Sequence, residues 1–210
     1  TTEIYTLSLH DALPILPACD FMVCHGVYSW IAPPQRQALR QLVQQRLLPG
    51  GVLYLAYMSQ PGSSAMAATQ KLLHLATQPL PGSSADKARA GVAWLQHLTQ
   101  QGLGHFGEQP RLVQEIDRLA ALDADYLAHE LLNPHWDSLH VADVMADLEA
   151  VDCRYAASAT PLENLDAVSL PGQSLAAFQA LQRQGASPAL LETFKDVARN
   201  QNQQIGRAHV

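Results

Sequence analysis

The apolar positions between residues 20 and 58 predict a strand, a helix and a second strand. Two short apolar runs, at residues 21–24 and 52–58, are typical of strands that are covered on both faces of a parallel sheet. Between them, apolar residues recur every three or four positions, which is the pattern of a helix that lies on a sheet. They are Ala38, Leu39, Leu42, Val43 and Leu47. The stretch is therefore predicted to be a βαβ crossover, whose length is close to the minimum for such a unit.

Proline and glycine mark both ends of this predicted helix. Pro33 and Pro34 suit its first turn, where the fixed φ of proline and its missing N–H cost little. Pro49, Gly50 and Gly51 are expected to stop the helix and to turn the chain back into the second strand.

From residue 60 onward the pattern becomes mainly helical. Loops rich in proline, glycine and serine occur at residues 60–64 and 78–85, and the second is the predicted domain boundary. Helices are predicted at residues 66–77, 86–101, 110–122, 125–132, 136–150, 174–183 and 188–199, and a short strand at 153–158. An apolar stripe on the helix before that strand predicts that both return to the first sheet. The stripe consists of Val141, Val144, Met145 and Leu148.

The loop after the first strand is where we expect function to concentrate. Its sequence, HGVYSW at residues 25–30, mixes polar, aromatic and glycine residues and is unlike core filler. In open α/β sheets, ligands bind beyond the carboxyl ends of the strands, which is the position of this loop.

Several segments resemble one enzyme family. The apolar strand after Asp20, the His/Gly/aromatic loop and the helix ending in Leu-Xaa-Pro-Gly-Gly resemble the fourth strand, following helix and fifth strand of class I S-adenosylmethionine-dependent methyltransferases. CHGVYSW at residues 24–30 and PGGVLYLAYMSQPG at 49–62 are more specifically similar to the bacterial members that carry a methyltransferase regulatory domain. YLAHELLNPHW at 126–136 and FKDVARNQNQ at 194–203 resemble parts of that regulatory domain.

The resemblance implies an α/β fold with two parts. Residues 16–78 would be the C-terminal part of a Rossmann-like methyltransferase sheet, with its fourth and fifth strands. Residues 86–204 would be an incomplete, mostly helical regulatory domain. Both ends of the chain look foreign, because TTEIYTLSLHDALPI and IGRAHV resemble translated sequencing-library adapters. We therefore expect residues 1–15 and 205–210 not to be native.

On this interpretation the chain is a fragment. The glycine-rich loop and the acidic residue with which class I methyltransferases mainly hold S-adenosylmethionine would precede Leu16. The parent is then expected to be an active methyltransferase, while the fragment itself is expected to be inactive. The alternative is a non-catalytic binding or regulatory module on a methyltransferase-like scaffold. A nicotinamide-dependent Rossmann enzyme is a third and weaker interpretation.

The resemblance also assigns residues of the loop to a site. Cys24, His25 and Gly26 fall on positions that pass the methionine part of the cofactor. Glycine lets a ligand approach the backbone, and histidine can hydrogen-bond or act as a base near neutral pH. Tyr28 and Trp30 would wall the acceptor pocket, or else pack the loop onto the following helix. No catalytic residue is predicted, since methyl transfer often needs only positioning and desolvation.

The composition argues against two classes of binding partner. The net charge of −6 with no basic cluster gives no electrostatic footprint for nucleic acid or an anionic membrane surface. Three cysteines form no disulfide framework, and no apolar run reaches the length of a membrane span, so cytoplasm is the expected location. The methyl acceptor is unidentified; a protein side chain such as lysine and a small molecule are both open.

Two further motifs are predicted to be structural. The sequence GLGHFG at residues 102–107 fits a dinucleotide-binding fingerprint but follows a predicted helix, so an interhelix loop is expected. His129 and Glu130 begin like a zinc-protease helix, yet Asn133 stands where the second histidine belongs, so no metal site is predicted.

Overall fold

A computed structural model describes residues 16–201 and 203–209, and for residues 203–209 it describes the backbone. The strands are β1 (Cys19–Cys24), β2 (Leu47–Met58), β3 (Arg154–Ser158) and β4 (Gln203–His209). The helices are α1 (Pro33–Arg46), α2 (Ser64–Thr77), α3 (Ser84–Gln100), α4 (Gly104–Gly107), α5 (Pro110–Ala120), α6 (Ala124–Leu131), α7 (Val141–Glu149), α8 (Asp166–Ser169), α9 (Gly172–Arg183) and α10 (Pro188–Arg199), with 3-10 turns at Tyr28–Trp30 and Pro161–Asn164. The predicted adapter residues 1–15 lie outside the described residues.

The four strands form one mixed sheet in the order β1-β2-β4-β3. β1 and β2 are parallel and joined by α1, which confirms the predicted βαβ crossover. β4 lies antiparallel to both β2 and β3. Strands pair through main-chain N–H and C=O groups, and every residue except proline has both. Any sequence without proline could therefore pair as β4 does, so this pairing does not test whether residues 205–210 are native.

The helix α1 ends earlier than the Pro-Gly-Gly signal predicted. It stops at Arg46, and β2 begins at once with Leu47, whose Cα pairs with that of Cys19. Pro49, Gly50 and Gly51 therefore lie inside the strand, where the register between β1 and β2 is interrupted. Gly50 has a φ of +82°, which glycine adopts at little cost. The signal marks a bulge rather than the helix end.

The prediction that β1 is covered on both faces was wrong. Phe21 and Val23 point to one face of β1 and are 58% and 62% exposed. On the opposite face Cys24 is buried and Met22 packs against the core. β1 is also the edge strand of the described sheet, and an apolar run favours a strand whether or not both faces are covered, so the run alone does not establish burial on two sides.

The described chain divides into two compact units. The first joins the residues up to Gly62 with those from Ser138 onward, and the second is Ser63–Asp137. These units differ from the two ranges predicted from the sequence, 16–78 and 86–204, because the first unit is discontinuous along the chain.

The core of the first unit lies between the sheet and the helices α1 and α7. Its buried residues are Cys24, Tyr28, Val43, Leu47, Leu53, Leu55, Tyr57, Val144, Leu148, Val151 and Cys153. Helix α7 and strand β3 thus return to the sheet that contains β2, which confirms the architectural prediction made from the apolar stripe. The predicted helix at 136–150 begins only at Val141, because the main chain of Leu139 bonds to Met58 and Gln60 and stays extended.

The second unit is helical. Its core includes Leu73, Ala88, Val92, Leu95, Phe106, Leu112, Ile116, Leu119, Leu127 and Leu131. Helices α2 and α3 approach closely at Gly91, where an added Cβ would fall 2.6 Å from a methyl carbon of Leu73. No helix within the described residues is long and apolar enough to cross a membrane.

Candidate functional site

The candidate site lies at one edge of the sheet. Because β1 and β2 are parallel, their carboxyl ends, Cys24 and Met58, meet at the same edge. His25 and Gly26 follow the first strand, and Ser59 follows the second. Open α/β sheets bind ligands at this edge. Three of the five predicted site residues, Cys24, His25 and Gly26, lie here.

Cys24 ends β1 as a buried, unreactive thiol. It is 7% exposed, and burial raises its pKa to about 11, against a smaller lowering by the main-chain N–H of Tyr28. A thiol with this pKa stays protonated near neutral pH, so Cys24 does not serve as a nucleophile. It packs in the core and fixes the point where the chain leaves the sheet.

Gly26 is the most open point of the loop. Its φ is +67°, in the left-handed region that favours glycine, and no atom lies within 4 Å of the place where a Cβ would stand. The residue is exposed. A ligand can therefore approach the backbone here without displacing a side chain.

His25 is exposed and held by one neighbouring side chain. Its Nδ1 lies 3.4 Å from the hydroxyl of Tyr54 on β2, and the two rings stack with centroids 5.9 Å apart and an interplanar angle of 22°. Tyr54 was not predicted as a site residue. Only the pairing of β1 with β2 indicates that Tyr54 lies near His25, because it places Tyr54 opposite Val23.

Tyr28 lies in the core rather than at the surface of the loop. It is 1% exposed, its hydroxyl accepts a hydrogen bond from Arg40 Nη1 at 3.2 Å, and it donates to Asp147 Oδ2 at 3.4 Å. Arg40 also pairs with Asp147 at 2.6 Å. Burial raises the pKa of Tyr28, and Arg40 lowers it by a smaller amount. The ring thus anchors the loop to α1 and α7.

Tyr28 borders a cavity of about 290 Å³, and four charged side chains also line this cavity. The cavity is lined by Tyr28, Pro33, Arg36, Arg40, Leu139, Asp143, Val144 and Asp147. Arg36 and Arg40 stand one turn apart on α1, and Asp143 and Asp147 stand one turn apart on α7. The spacing of each pair is visible in the sequence, but nothing local to either helix predicts that the two helices face each other.

Ser29 ties the loop to the end of β2 and was missed by the sequence prediction. Its side chain is fully buried, and its Oγ accepts a hydrogen bond of 2.8 Å from the main-chain N–H of Met58. Trp30 is partly exposed, at the end of the 3-10 turn. The loop therefore has an open part, His25 and Gly26, and an anchored part, Tyr28 and Ser29.

The other sequence motifs have structural surroundings. GLGHFG follows helix α3 and contains the short helix α4, so it lacks the strand that a dinucleotide fingerprint requires. Within residues 16–201, no group of three or more His, Cys, Asp or Glu side chains is placed to hold a metal ion.

Part of the chain is similar to a known protein family. Residues 123–204 match the sequence model of a family described as a predicted methyltransferase regulatory domain. This range contains both segments that resembled that domain. Among curated proteins, the chain is 28% identical over 181 residues to the uncharacterised protein sll1526 of Synechocystis, covering 86% of this chain and 35% of that protein. It is 24% identical over 131 residues to the uncharacterised protein RP028 of Rickettsia prowazekii, covering 62% of this chain and 52% of that protein.

Two solved structures share the fold. Both are of PKMT2 from Rickettsia typhi, and one of them is a complex with AdoHcy. The complex matches with a TM-score of 0.75 and 19% identity, over 97% of this chain and 38% of that one. The other matches with a TM-score of 0.70 and 17% identity, over 92% of this chain and 35% of that one. The chain spans only about half, or less, of the length of each of these proteins.

Proposed function

We propose that this chain is part of an S-adenosylmethionine-dependent methyltransferase and contains the C-terminal part of its cofactor-binding sheet and most of its regulatory domain. The observation that carries the proposal is the match of residues 123–204 to the methyltransferase regulatory domain. A regulatory domain of this description implies a methyltransferase to regulate, and the parallel β1–α1–β2 unit is the part of the chain that has the topology of a cofactor-binding sheet.

The fold comparison supports the same function. Nearly the whole length of this chain matches a part of PKMT2. One of the PKMT2 structures holds AdoHcy, the product that S-adenosylmethionine leaves after methyl transfer. At 19% identity the likeness concerns the fold. The cofactor enters our proposal because the fold and the regulatory-domain match, which are independent observations, lead to the same class of enzyme.

The exposed face of β1 supports a longer parent protein. Phe21 and Val23 offer water an apolar face on a strand that pairs in parallel with β2. Parallel sheets are normally covered on both faces, so we propose that further segments of the parent cover this face. The coverage of the PKMT2 structures, 38% or less, agrees with this. We also propose that residues 1–15 and 205–210 derive from sequencing-library adapters and are not native.

His25 and Gly26 are the residues that we propose border the cofactor. S-adenosylmethionine supplies an electrophilic methyl group on a sulfonium sulfur. The open backbone at Gly26 fits close approach of such a ligand, and the exposed imidazole of His25, oriented by Tyr54, is available to hydrogen-bond to the cofactor or the acceptor. Cys24 contributes by fixing the start of this turn, and no covalent role falls to it.

The acceptor is proposed to be a protein side chain, with lysine as the first choice, because the resemblance to methyltransferases with this regulatory domain makes protein side chains a possible substrate class. Of the two aromatic residues predicted to wall the acceptor pocket, the partly exposed Trp30 fits that role better than Tyr28, whose ring is fully buried. A partly exposed indole can contact an ammonium or its methyl groups.

The test is calorimetric titration with AdoHcy of two proteins, the 210-residue chain and the intact parent recovered from the flanking coding sequence. We expect the parent to bind and the chain alone not to bind measurably. In the parent, Gly26→Val should weaken binding at least about tenfold, or 1.4 kcal/mol, because a side chain would fill the open approach. Gly185→Val is the matched control, since Gly185 also has a positive φ, +74°, and open space around it.

Two results would contradict the proposal. A folded parent that does not bind AdoHcy would favour the non-catalytic regulatory module. Equal loss of affinity in Gly26→Val and Gly185→Val would mean that backbone strain, and not ligand approach, explains the effect.

A further inference from the structure

The segment that follows β2, residues 59–62, is fixed by main-chain hydrogen bonds on two sides. On one side, Leu139 N–H donates to Met58 O at 2.9 Å, and Gln60 N–H donates to Leu139 O at 3.0 Å. On the other side, Gly62 N–H donates to Gln201 O, just beyond the end of α10, at 2.8 Å. The segment therefore lies between the strand-like entry to α7 and the C-terminus of α10.

One side-chain contact in this segment is buried. The Oγ of Ser59 donates to Asp196 Oδ2 on α10 at 3.1 Å, and the two residues are 0% and 2% exposed. The same Oγ also lies 3.1 Å from the main-chain oxygen of Gln60. Because a hydroxyl has a single proton, it can donate fully to only one of these acceptors at a time.

The protonation state of Asp196 decides which acceptor that is. An ionised carboxylate is the stronger acceptor and takes the Ser59 proton. A protonated carboxyl can itself donate to Ser59 Oγ, and Ser59 is then free to donate to Gln60 O. The second arrangement satisfies both groups and removes the buried charge of Asp196, whose desolvation outweighs its attraction to Arg199, so protonation should strengthen the hold on the segment.

The surroundings of Asp196 make this change accessible near neutral pH. Burial is the main cause that raises its pKa to about 6, and the hydrogen bond from Ser59 opposes the increase. Other charged or titratable groups around it are Arg199 and Glu192 of α10, Glu163 of the second 3-10 turn, Tyr57 of β2 and Tyr155 of β3. Arg199 Nη2 stands 3.5 Å from Asp196 Oδ1, while Lys195 is paired with Glu192 and Asp166.

We infer that Asp196 is a positioning residue for residues 59–62, that it holds this segment against α10 through Ser59, and that its protonation tightens the hold. The segment stands at the carboxyl end of β2, so under the methyltransferase function proposed above, on which this part of the inference rests, it borders the transfer site. Asp196 belongs to the range that matches the regulatory domain, and the contact gives that range a direct connection to the edge where the ligand would bind.

The direction of the pH effect follows from linkage. The carboxyl binds its proton more strongly in the closed contact, with a pKa of about 6, than when it is open to solvent, near 3.8. Lower pH therefore favours the closed contact. Between pH 7.5 and pH 5 the ratio of closed to open segment should rise about tenfold.

Hydrogen–deuterium exchange of the 210-residue chain tests this directly. We expect the protection factors of the amides of Ser59, Gln60 and Gly62, corrected for intrinsic exchange rates, to rise about tenfold from pH 7.5 to pH 5. Asp196→Asn should abolish the pH response. Ser59→Ala should lower protection at pH 7.5 about fivefold, the equivalent of one hydrogen bond worth ~1 kcal/mol.

Controls separate the contact from general effects. Asp143→Asn changes an exposed aspartate on α7 and should keep the full pH response. Amides around Val92 and Leu95, in the helical unit, should not respond to Asp196→Asn. A pH response that persists in Asp196→Asn, or unchanged protection in Ser59→Ala, would overturn the inference. Exchange is measured without a methyl donor, so a parent that fails to bind AdoHcy would refute the proposed function and leave this result standing.

Discussion

The two segments that leave the parallel strands at the same edge are built in opposite ways. After β1, His25 and Gly26 are exposed, and His25 has a single long contact of 3.4 Å to Tyr54. After β2, Ser59 is fully buried and is held by Asp196, and Gly62 is bonded to Gln201. The first segment thus leaves its backbone accessible to a ligand. The second segment is fixed by α10, which lies in the range that matches the regulatory domain.

The two glycines express this contrast most sharply and allow the largest predicted effect. A Cβ on Gly62 would fall 2.5 Å from the main-chain oxygen of Asn200, whereas a Cβ on Gly26 would meet no atom within 4 Å. Gly62→Ala should therefore lower the free energy of unfolding by about 3 kcal/mol, since backbone must move. Gly26→Ala should cost about 1 kcal/mol, from its positive φ alone.

Urea unfolding of the two alanine variants, side by side, measures the difference. If Gly26→Ala proves as costly as Gly62→Ala, the segment after β1 is as tightly packed as the one after β2, and the contrast does not hold.

A smaller effect is expected at the anchored part of the first segment. Tyr28→Phe removes the hydroxyl that bonds to Arg40 and Asp147 and leaves that ion pair in place. We expect a loss of about 1.5 kcal/mol, as for a partly buried hydrogen bond to a charged group. Tyr126→Phe is the matched control, because Tyr126 is 52% exposed, and its stability should be unchanged. Equal melting curves for both variants and the unmodified chain would show that the Tyr28 hydroxyl does not anchor the loop.

The smallest effect is expected at His25. Its side chain is exposed and makes one long hydrogen bond, so His25→Ala should change the free energy of unfolding by less than about 0.5 kcal/mol. The imidazole would then be present without contributing to stability, as expected of a residue kept for a ligand. A loss above about 1 kcal/mol in thermal or urea unfolding would instead make His25 a structural residue.

Much of the local structure could be predicted because its causes are local. The βαβ unit follows from apolar runs of strand length and from an apolar stripe at helical spacing, and α10 has the predicted bounds, Pro188–Arg199. The position of the candidate site follows from the carboxyl end of the first strand. The resemblance of residues 126–136 and 194–203 to the regulatory domain was confirmed by the family match.

Errors arose where a local signal had a distant competitor. Pro49, Gly50 and Gly51 are a turn signal, but pairing with β1 draws Leu47 into the strand before they are reached. The helix predicted at 136–150 loses its first turn because Leu139 bonds to the end of β2. In both cases main-chain pairing with a strand outweighs a propensity that amounts to less than about 1 kcal/mol per residue.

The sequence by itself thus determined the βαβ unit, most of the helices and the short strand β3, and it predicts the edge at which a ligand would bind; strand β4 and helix α8 were not predicted. Only the tertiary structure decided which side chains act together. Ser59 and Asp196 are separated by 137 positions, and Tyr28 and Asp147 by 119, and no periodicity spans such distances. Periodicity records which face of an element is apolar, while the partner of that face is set by chain topology. For the same reason the exposed face of β1 and the burial of Tyr28 became visible only in the folded chain.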